Sequence, residues 1–311
     1  MGKSDNAYDF NAYEKDVPPP YSFAGSDIQF QQPPPPPPAS SSQYQYFPPP
    51  PPQPQPQMML QQTPRIPRQF PNSFNMYRGS GIGNRHFTLG EHQNAPLYAV
   101  ALHSGFSGKP SVVLHNGPSD NRPPLAAVEK SGWSSKGTVY LPPPPVMGAG
   151  ANAGVRGSRG GKEGAAEERF EAGGGFGHKI YTFSIETGVG AGARREMFEW
   201  RHSSGRAVKG LDGRSGGWKL CRLATGPPAG AEGRGFVEGG ERGSDGREIV
   251  AVWAWASGSL TKLFKFSFLG SGANGVLGER WAVMAVMTAL KMWDIERRAR
   301  QAAANAAGGG A

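Results

Sequence analysis

The chain of 311 residues contains a single cysteine, Cys221. One thiol excludes an internal disulfide and any cysteine-rich metal site. Its setting in Trp218-Lys219-Leu220-Cys221-Arg222-Leu223 reads as a small packing residue within a strand. Histidines are also scarce. The six, at 86, 92, 103, 115, 178 and 202, are dispersed, and no two stand four apart as metal ligands on a helix do. His202 alternates with strand residues and reads as a surface or packing histidine. The glycine-rich run Gly157-Ser158-Arg159-Gly160-Gly161-Lys162 departs from the phosphate-loop pattern and joins no strand to a helix. These absences predict no enzyme, no cofactor and no metal site. There is no apolar leader at the N-terminus and no apolar run long enough to span a bilayer, so an intracellular, cytoplasmic location is expected.

What is abundant is glycine and proline. The 46 glycines and 30 prolines make up about a quarter of the chain, and 19 of the prolines fall in the first 71 residues. Residues 1–71 are therefore expected to form a disordered Pro/Gln-rich tail, because Pro33–Pro38, Pro48–Pro52 and the Gln-Pro alternation that follows cannot bury apolar surface. Within it, Pro18-Pro19-Pro20-Tyr21 has the Pro-Pro-x-Tyr form that WW domains grip in an aromatic groove. In so proline-rich a tail the match reads either as a WW ligand or as an inert spacer. The longer proline runs suit SH3 or profilin-type partners. Two glycine-rich segments, at about 146–177 and 226–246, read as disordered insertions, and 301–311 as a disordered Ala/Gly tail.

Charge is unevenly placed. Residues 1–60 carry two basic and five acidic side chains, while the remainder has 31 basic against 19 acidic. A basic folded part suggests anionic partners, or solubility alone. Arg156, Arg159 and Lys162 among glycines are too few and too irregular for an RGG-type binder, and no specific nucleic-acid partner is expected.

Between these segments the pattern turns to strands. Tyr98–Leu102, Ser111–His115, Leu125–Glu129 and Thr138–Leu141 are short β-branched or aromatic runs between turn signals. Tyr181, Phe183 and Ile185 alternate with polar neighbours, as do Phe198 and Trp200, and Phe264, Phe266 and Phe268. Gly217–Leu223 and Ile249–Ala256 complete nine candidates. The last element, about 279–300, is different. From Trp281 to Trp293 its only polar residues are Thr288 and Lys291, and a helix apolar on nearly every face must be buried on all sides or lie in a bilayer. Thirteen residues give about 20 Å, too short to span. The expected fold is mainly β, a closed antiparallel barrel around a hydrophobic C-terminal central helix, a closure that also removes exposed hydrophobic edges.

The segments Arg195-Glu196-Met197-Phe198-Glu199-Trp200-Arg201, Trp218-Lys219-Leu220, and Leu260-Thr261-Lys262-Leu263-Phe264-Lys265-Phe266 leading to Glu279-Arg280-Trp281 resemble fungal tubby C-terminal-like proteins. That superfamily joins the tubby domain, phospholipid scramblases and the LURP-one-related proteins. The resemblance covers about 71–300 outside the glycine-rich segments and rests on the order of elements. It implies a barrel of about twelve strands around a central helix, spanning 72–300. It also implies attachment to phosphoinositide or other anionic membrane surfaces, although no tubby pocket residue maps onto this chain. Scramblase calcium binding is put in doubt by Arg297 and Arg298, which directly follow Asp294 and Glu296. Lys262, Lys265, Arg297, Arg298 and Arg300 read either as a lipid-facing basic rim near the helix exit or as an ordinary solvated helix end. The expected function is a non-enzymatic binding or scaffold module with a recruiting tail. A WW-ligand adaptor and a scramblase-like membrane protein are the alternatives.

Overall fold

A computed structural model describes residues 69–79, 85–104, 107–130, 136–143, 165–174, 179–188, 193–211, 216–228 and 241–308. Twelve strands follow in chain order: β1 (Ser73–Arg78), β2 (His86–Gly90), β3 (Tyr98–Leu102), β4 (Val112–His115), β5 (Pro124–Lys130), β6 (Lys136–Leu141), β7 (Ala166–Gly173), β8 (Ile180–Thr187), β9 (Arg194–Ser203), β10 (Gly217–Arg222), β11 (Ile249–Trp255) and β12 (Lys262–Phe268). Each pairs antiparallel with the next, and β1 pairs with β12, so the sheet closes into a barrel. Short helices α1 (Arg206–Lys209) and α2 (Gly270–Ala273) flank it, and α3 (Glu279–Gly308) ends it.

The period-2 pattern decides which side chains enter the barrel. On β9, Phe198 and Trp200 are fully buried while Met197, on the outer face, stays 53% exposed. On β12, Phe264, Phe266 and Phe268 point inward as expected. The inner wall then needs an apolar partner on every side, and α3 supplies it. Its residues Trp281–Asp294 are all buried, and at ~1.5 Å per residue they cover about 20 Å, close to the height of a wall of six- to eight-residue strands. Trp281 packs on Phe198 and Phe268 at one end, and Trp293 on Phe87 and Trp255 at the other. The helix thus runs down the barrel axis.

Three expectations need correction. The segment expected to be a disordered insertion at 146–177 contains β7, and only residues 146–164 and 175–177 of that stretch lie outside the described ones. β7 is held by pairing with β6 and β8, which overrides a charged, helix-prone sequence. Residues 301–308, expected as tail, continue α3, because Gln301-Ala302-Ala303-Ala304 has high helix propensity. The folded part also begins before residue 72, since Phe70 is buried in the core against Tyr98 and Phe74. Of the second glycine-rich segment, 229–240 lies outside the described residues, while 241–248 returns to the wall, with Ile249 donating its N–H to the Glu241 carbonyl.

Candidate functional site

The barrel interior offers no catalytic arrangement among the described residues. It is filled by α3, and its hydroxyl and ammonium groups are paired, whereas the indole N–H groups of Trp253, Trp281 and Trp293 have no partner among the described residues. The Trp200 indole donates to the Thr288 hydroxyl at 2.9 Å, and the Lys291 ammonium donates to Ser111 Oγ at 2.8 Å. Among the described residues no group of three or more His, Cys, Asp or Glu side chains could hold a metal ion. Cys221 is fully buried on the outer wall against Val208 and Val252, and burial pushes its thiol up. Gly213-Arg214-Ser215-Gly216-Gly217 has the spacing of a nucleophile elbow, and its first three residues lie outside the described ones.

Function must then lie on the surface, and the topology divides the surface into two ends. Alternate hairpins of an up-and-down barrel open at opposite ends. The end where α3 enters carries the connections β2–β3, β4–β5, β6–β7, β8–β9 and β10–β11, and residues 69–72 arrive there too, with Phe268 donating its N–H to the Asn72 carbonyl. The end where α3 leaves carries β1–β2, β3–β4, β5–β6, β7–β8, β9–β10 and β11–β12.

Charge at the entry end is largely matched, although Arg122 of β4–β5 and Arg247 of β10–β11 have no ion-pair partner among the described residues. Arg222 grips Glu196 through two hydrogen bonds of 2.6 and 2.8 Å, with both side chains buried, and Arg194 adds a third at 2.9 Å. Burial pushes the Glu196 carboxyl up, but hydrogen bonds from Arg222 and Arg194 outweigh it and hold the group below the usual carboxylate range. The same arginines donate to the Gly226 and Pro227 carbonyls and so pin the start of the β10–β11 connection. Beside them Glu248 accepts from the N–H and hydroxyl of Ser271 on α2. A second network ties the helix to the wall. Glu168 of β7 accepts two hydrogen bonds from Arg195, and Arg280 reaches Glu168, Glu186 and the Pro142 carbonyl. Four carboxylates thus meet four guanidinium groups.

The exit end is different. Its acidic groups are consumed internally. Buried Asp294 pairs with Arg297 and Arg298 at 2.9 and 2.8 Å, and Glu296 accepts the indole N–H groups of Trp218 and Trp255 at 2.6 and 2.7 Å. What remains is positive. Arg78 and Arg85 flank the β1–β2 connection, Lys109 lies in β3–β4, Lys179 in β7–β8, Lys209 in β9–β10 and Lys262 at the start of β12. None of these has an ion-pair partner among the described residues. Burial and the neighbouring Lys109, His86, His115 and Arg85 push the His103 imidazole down, a local sign of the crowding of positive charge.

The five basic residues singled out in the sequence separate into two sets. Arg297, Arg298 and Arg300 do stand at the helix exit, the first two partly neutralised by Asp294 and the third lying 4.2 Å over the Trp255 ring. Lys262 and Lys265 face outward together, although three positions apart, because a bulge at Leu263 resets the alternation. Tyr77 stands opposite Lys262 and Asn75 opposite Lys265, and the Asn75 amide donates to the Tyr77 hydroxyl on that one face. Lys262 lies 5.9 Å over the Tyr77 ring at the rim, whereas Lys265 sits farther along the outer wall. Pro18, Pro19, Pro20 and Tyr21 lie outside the described residues. Arg78, Arg85 and Lys109 were missed in the sequence because single turn cations mean little until topology shows that they share an end.

Comparison with known proteins yields no match: no family model, curated protein or solved structure corresponds to the chain.

Proposed function

We propose that this is a non-enzymatic binding module of the tubby-like kind, attached to anionic surfaces, phosphoinositide-bearing membranes first among them, through the exit end of its barrel. The observation that carries the reading is the polarity of charge: entry-end carboxylates meet guanidinium groups in buried networks, while Arg78, Arg85, Lys109, Lys179, Lys209 and Lys262 toward the exit end have no ion-pair partner among the described residues. Near an anionic membrane each such cation contributes about 1 kcal/mol, so several acting together hold a domain there reversibly. The twelve-stranded wall and central helix support the tubby-like assignment, and the location that goes with it is intracellular and peripheral at membranes.

The test is co-sedimentation of the full chain with phosphatidylcholine vesicles, with and without phosphoinositide, across a salt series. Saturable binding that needs the anionic lipid and weakens with salt supports the reading. Absence of binding at low salt removes it.

A second reading is adaptor function through Pro18–Tyr21. It is favoured by the Pro-Pro-x-Tyr form of that segment. Deleting residues 1–60 would abolish capture by WW domains and spare vesicle binding. The scramblase-like alternative requires α3 to leave the barrel, against its burial on every side, and resistance to carbonate extraction would be its mark.

A further inference from the structure

One large apolar side chain stands apart from the rest of the described surface. Leu260, in the β11–β12 connection, is 93% exposed, against 41% for Leu97 and 53% for Met197. Scattered exposed leucines are ordinary, but this one is presented. Its neighbours Ser257, Gly258 and Ser259 are small and polar and give it nothing to pack on. The connection is nevertheless held at both sides. Ala256 donates its N–H to the Leu263 carbonyl, Lys262 donates its N–H to Ser259 Oγ at 2.9 Å, and Arg78 donates its N–H to the Thr261 carbonyl. The Thr261 hydroxyl is tied to Gln93 at 2.9 Å. Gly258, at φ +70°, makes the turn.

The surroundings of this tip are cationic. Lys262 follows two residues later, Arg78 is the cross-strand neighbour of Thr261, and Arg300 lies over Trp255 where the connection begins. An aliphatic tip ringed by basic side chains matches the interface of an anionic bilayer, which offers phosphates at one depth and hydrocarbon just below. A nucleic acid offers the phosphates without an apolar compartment.

We propose that the β11–β12 connection is a membrane-inserting tip, in which Leu260 enters the apolar margin of an anionic lipid bilayer while Arg78, Lys262 and Arg300 hold the headgroups. This rests on the attachment reading above and adds to it a lipid source for the anions and an orientation, with the helix-exit end toward the membrane.

The test places an environment-sensitive fluorophore at the tip. In full-length Leu260→Cys the new thiol is exposed, while Cys221 is buried and stays unlabelled in the parent chain. Vesicles of phosphatidylcholine alone, and with phosphatidylserine and phosphoinositide, are added, and emission and quenching by brominated lipid are recorded. A blue shift and quenching on the anionic vesicles only, absent from the same label at Met197→Cys on the β9 wall, support insertion. Sedimentation with anionic vesicles and no spectral change overturns insertion and leaves attachment standing. Failure of the parent chain to sediment overturns both. A second variant, the uncharged Leu260→Ser, is expected to weaken partitioning onto anionic vesicles roughly ten-fold while leaving binding to heparin or duplex DNA unchanged. An equal loss on those soluble polyanions overturns the lipid assignment.

Discussion

Trp200 of β9 and Thr288 of α3 are 88 residues apart in sequence and 2.9 Å apart in the barrel, the indole N–H donating to the hydroxyl. The hydroxyl in turn reaches the Met284 and Ala285 carbonyls of its own helix. Together with the Lys291–Ser111 pair, the Trp200–Thr288 bond fixes the helix's rotation and depth against the wall. Elsewhere in the same interior the indole N–H groups of Trp253, Trp281 and Trp293 have no hydrogen-bond partner among the described residues, so the Trp200 pair is a specific polar link within apolar packing.

Thr288→Val keeps the volume and removes the acceptor, leaving the Trp200 N–H buried and unsatisfied. A loss of about 1–3 kcal/mol is expected. Denaturant unfolding of parent and variant measures it, and an unchanged midpoint would show that the link is dispensable.

Glu196 gives a pH signature. Because Arg222 and Arg194 lower its folded pKa from the ordinary glutamate value of 4.5, folding favours its ionised form. Its contribution is complete above that value and is lost as pH falls through the lower folded one. Glu196→Gln leaves Arg222 buried without its countercharge and is expected to lose about 3–5 kcal/mol at pH 7. The gap to the parent should narrow below pH 4.5. A gap that is constant with pH would assign the loss to packing instead.

Gly272 of α2 has no room for a methyl group. A Cβ there would stand 2.3 Å from the Val250 carbonyl oxygen and 2.6 Å from the Trp281 ring. Gly272→Ala is expected to destabilise by more than the ~1–3 kcal/mol usual for overpacking, since backbone cannot give way as a side chain does. Thermal melting of the purified variant reads this, and a melting temperature equal to the parent's would refute the close approach.

Cys221 is fully buried with its thiol pushed up by that burial, so the nucleophilic thiolate is scarce and shielded. Native protein at pH 8 is expected to react with a thiol reagent only at the rate of opening, and quickly in denaturant. Fast labelling of the native chain would place Cys221 outside the outer-wall cluster.

Much of the fold is legible in the sequence wherever one face of a strand is wet. Phe264, Phe266 and Phe268 against Lys265, and Phe198 and Trp200 against Glu199, declare both strand and orientation. So does the run from Trp281 to Trp293, which no surface helix could carry. β7 is not legible: in Ala166–Gly173 only Glu168 and Phe170 are buried, and its strand state is imposed by neighbours. β1 and β2 were missed because they are short and mixed in polarity, and neither alternates over enough residues to stand out. The cations of the helix-exit end are visible as residues but not as a set, since closure of the barrel is what gathers them. Nothing in the sequence sets Leu260 apart, and only the start of β12 at Lys262 exposes it as a loop tip.

The plug comes last. All twelve strands precede α3, and β1 must wait for β12, 189 positions behind it by Ser73 to Lys262, before the wall can close. A ribosome therefore releases every lining residue before the segment that covers them, and the growing chain displays apolar strands with nothing to bury against. Completion of the barrel becomes an event that must wait for synthesis of all twelve strands and α3, and premature termination shortly before Trp281 would remove the whole axis of the core while sparing every strand.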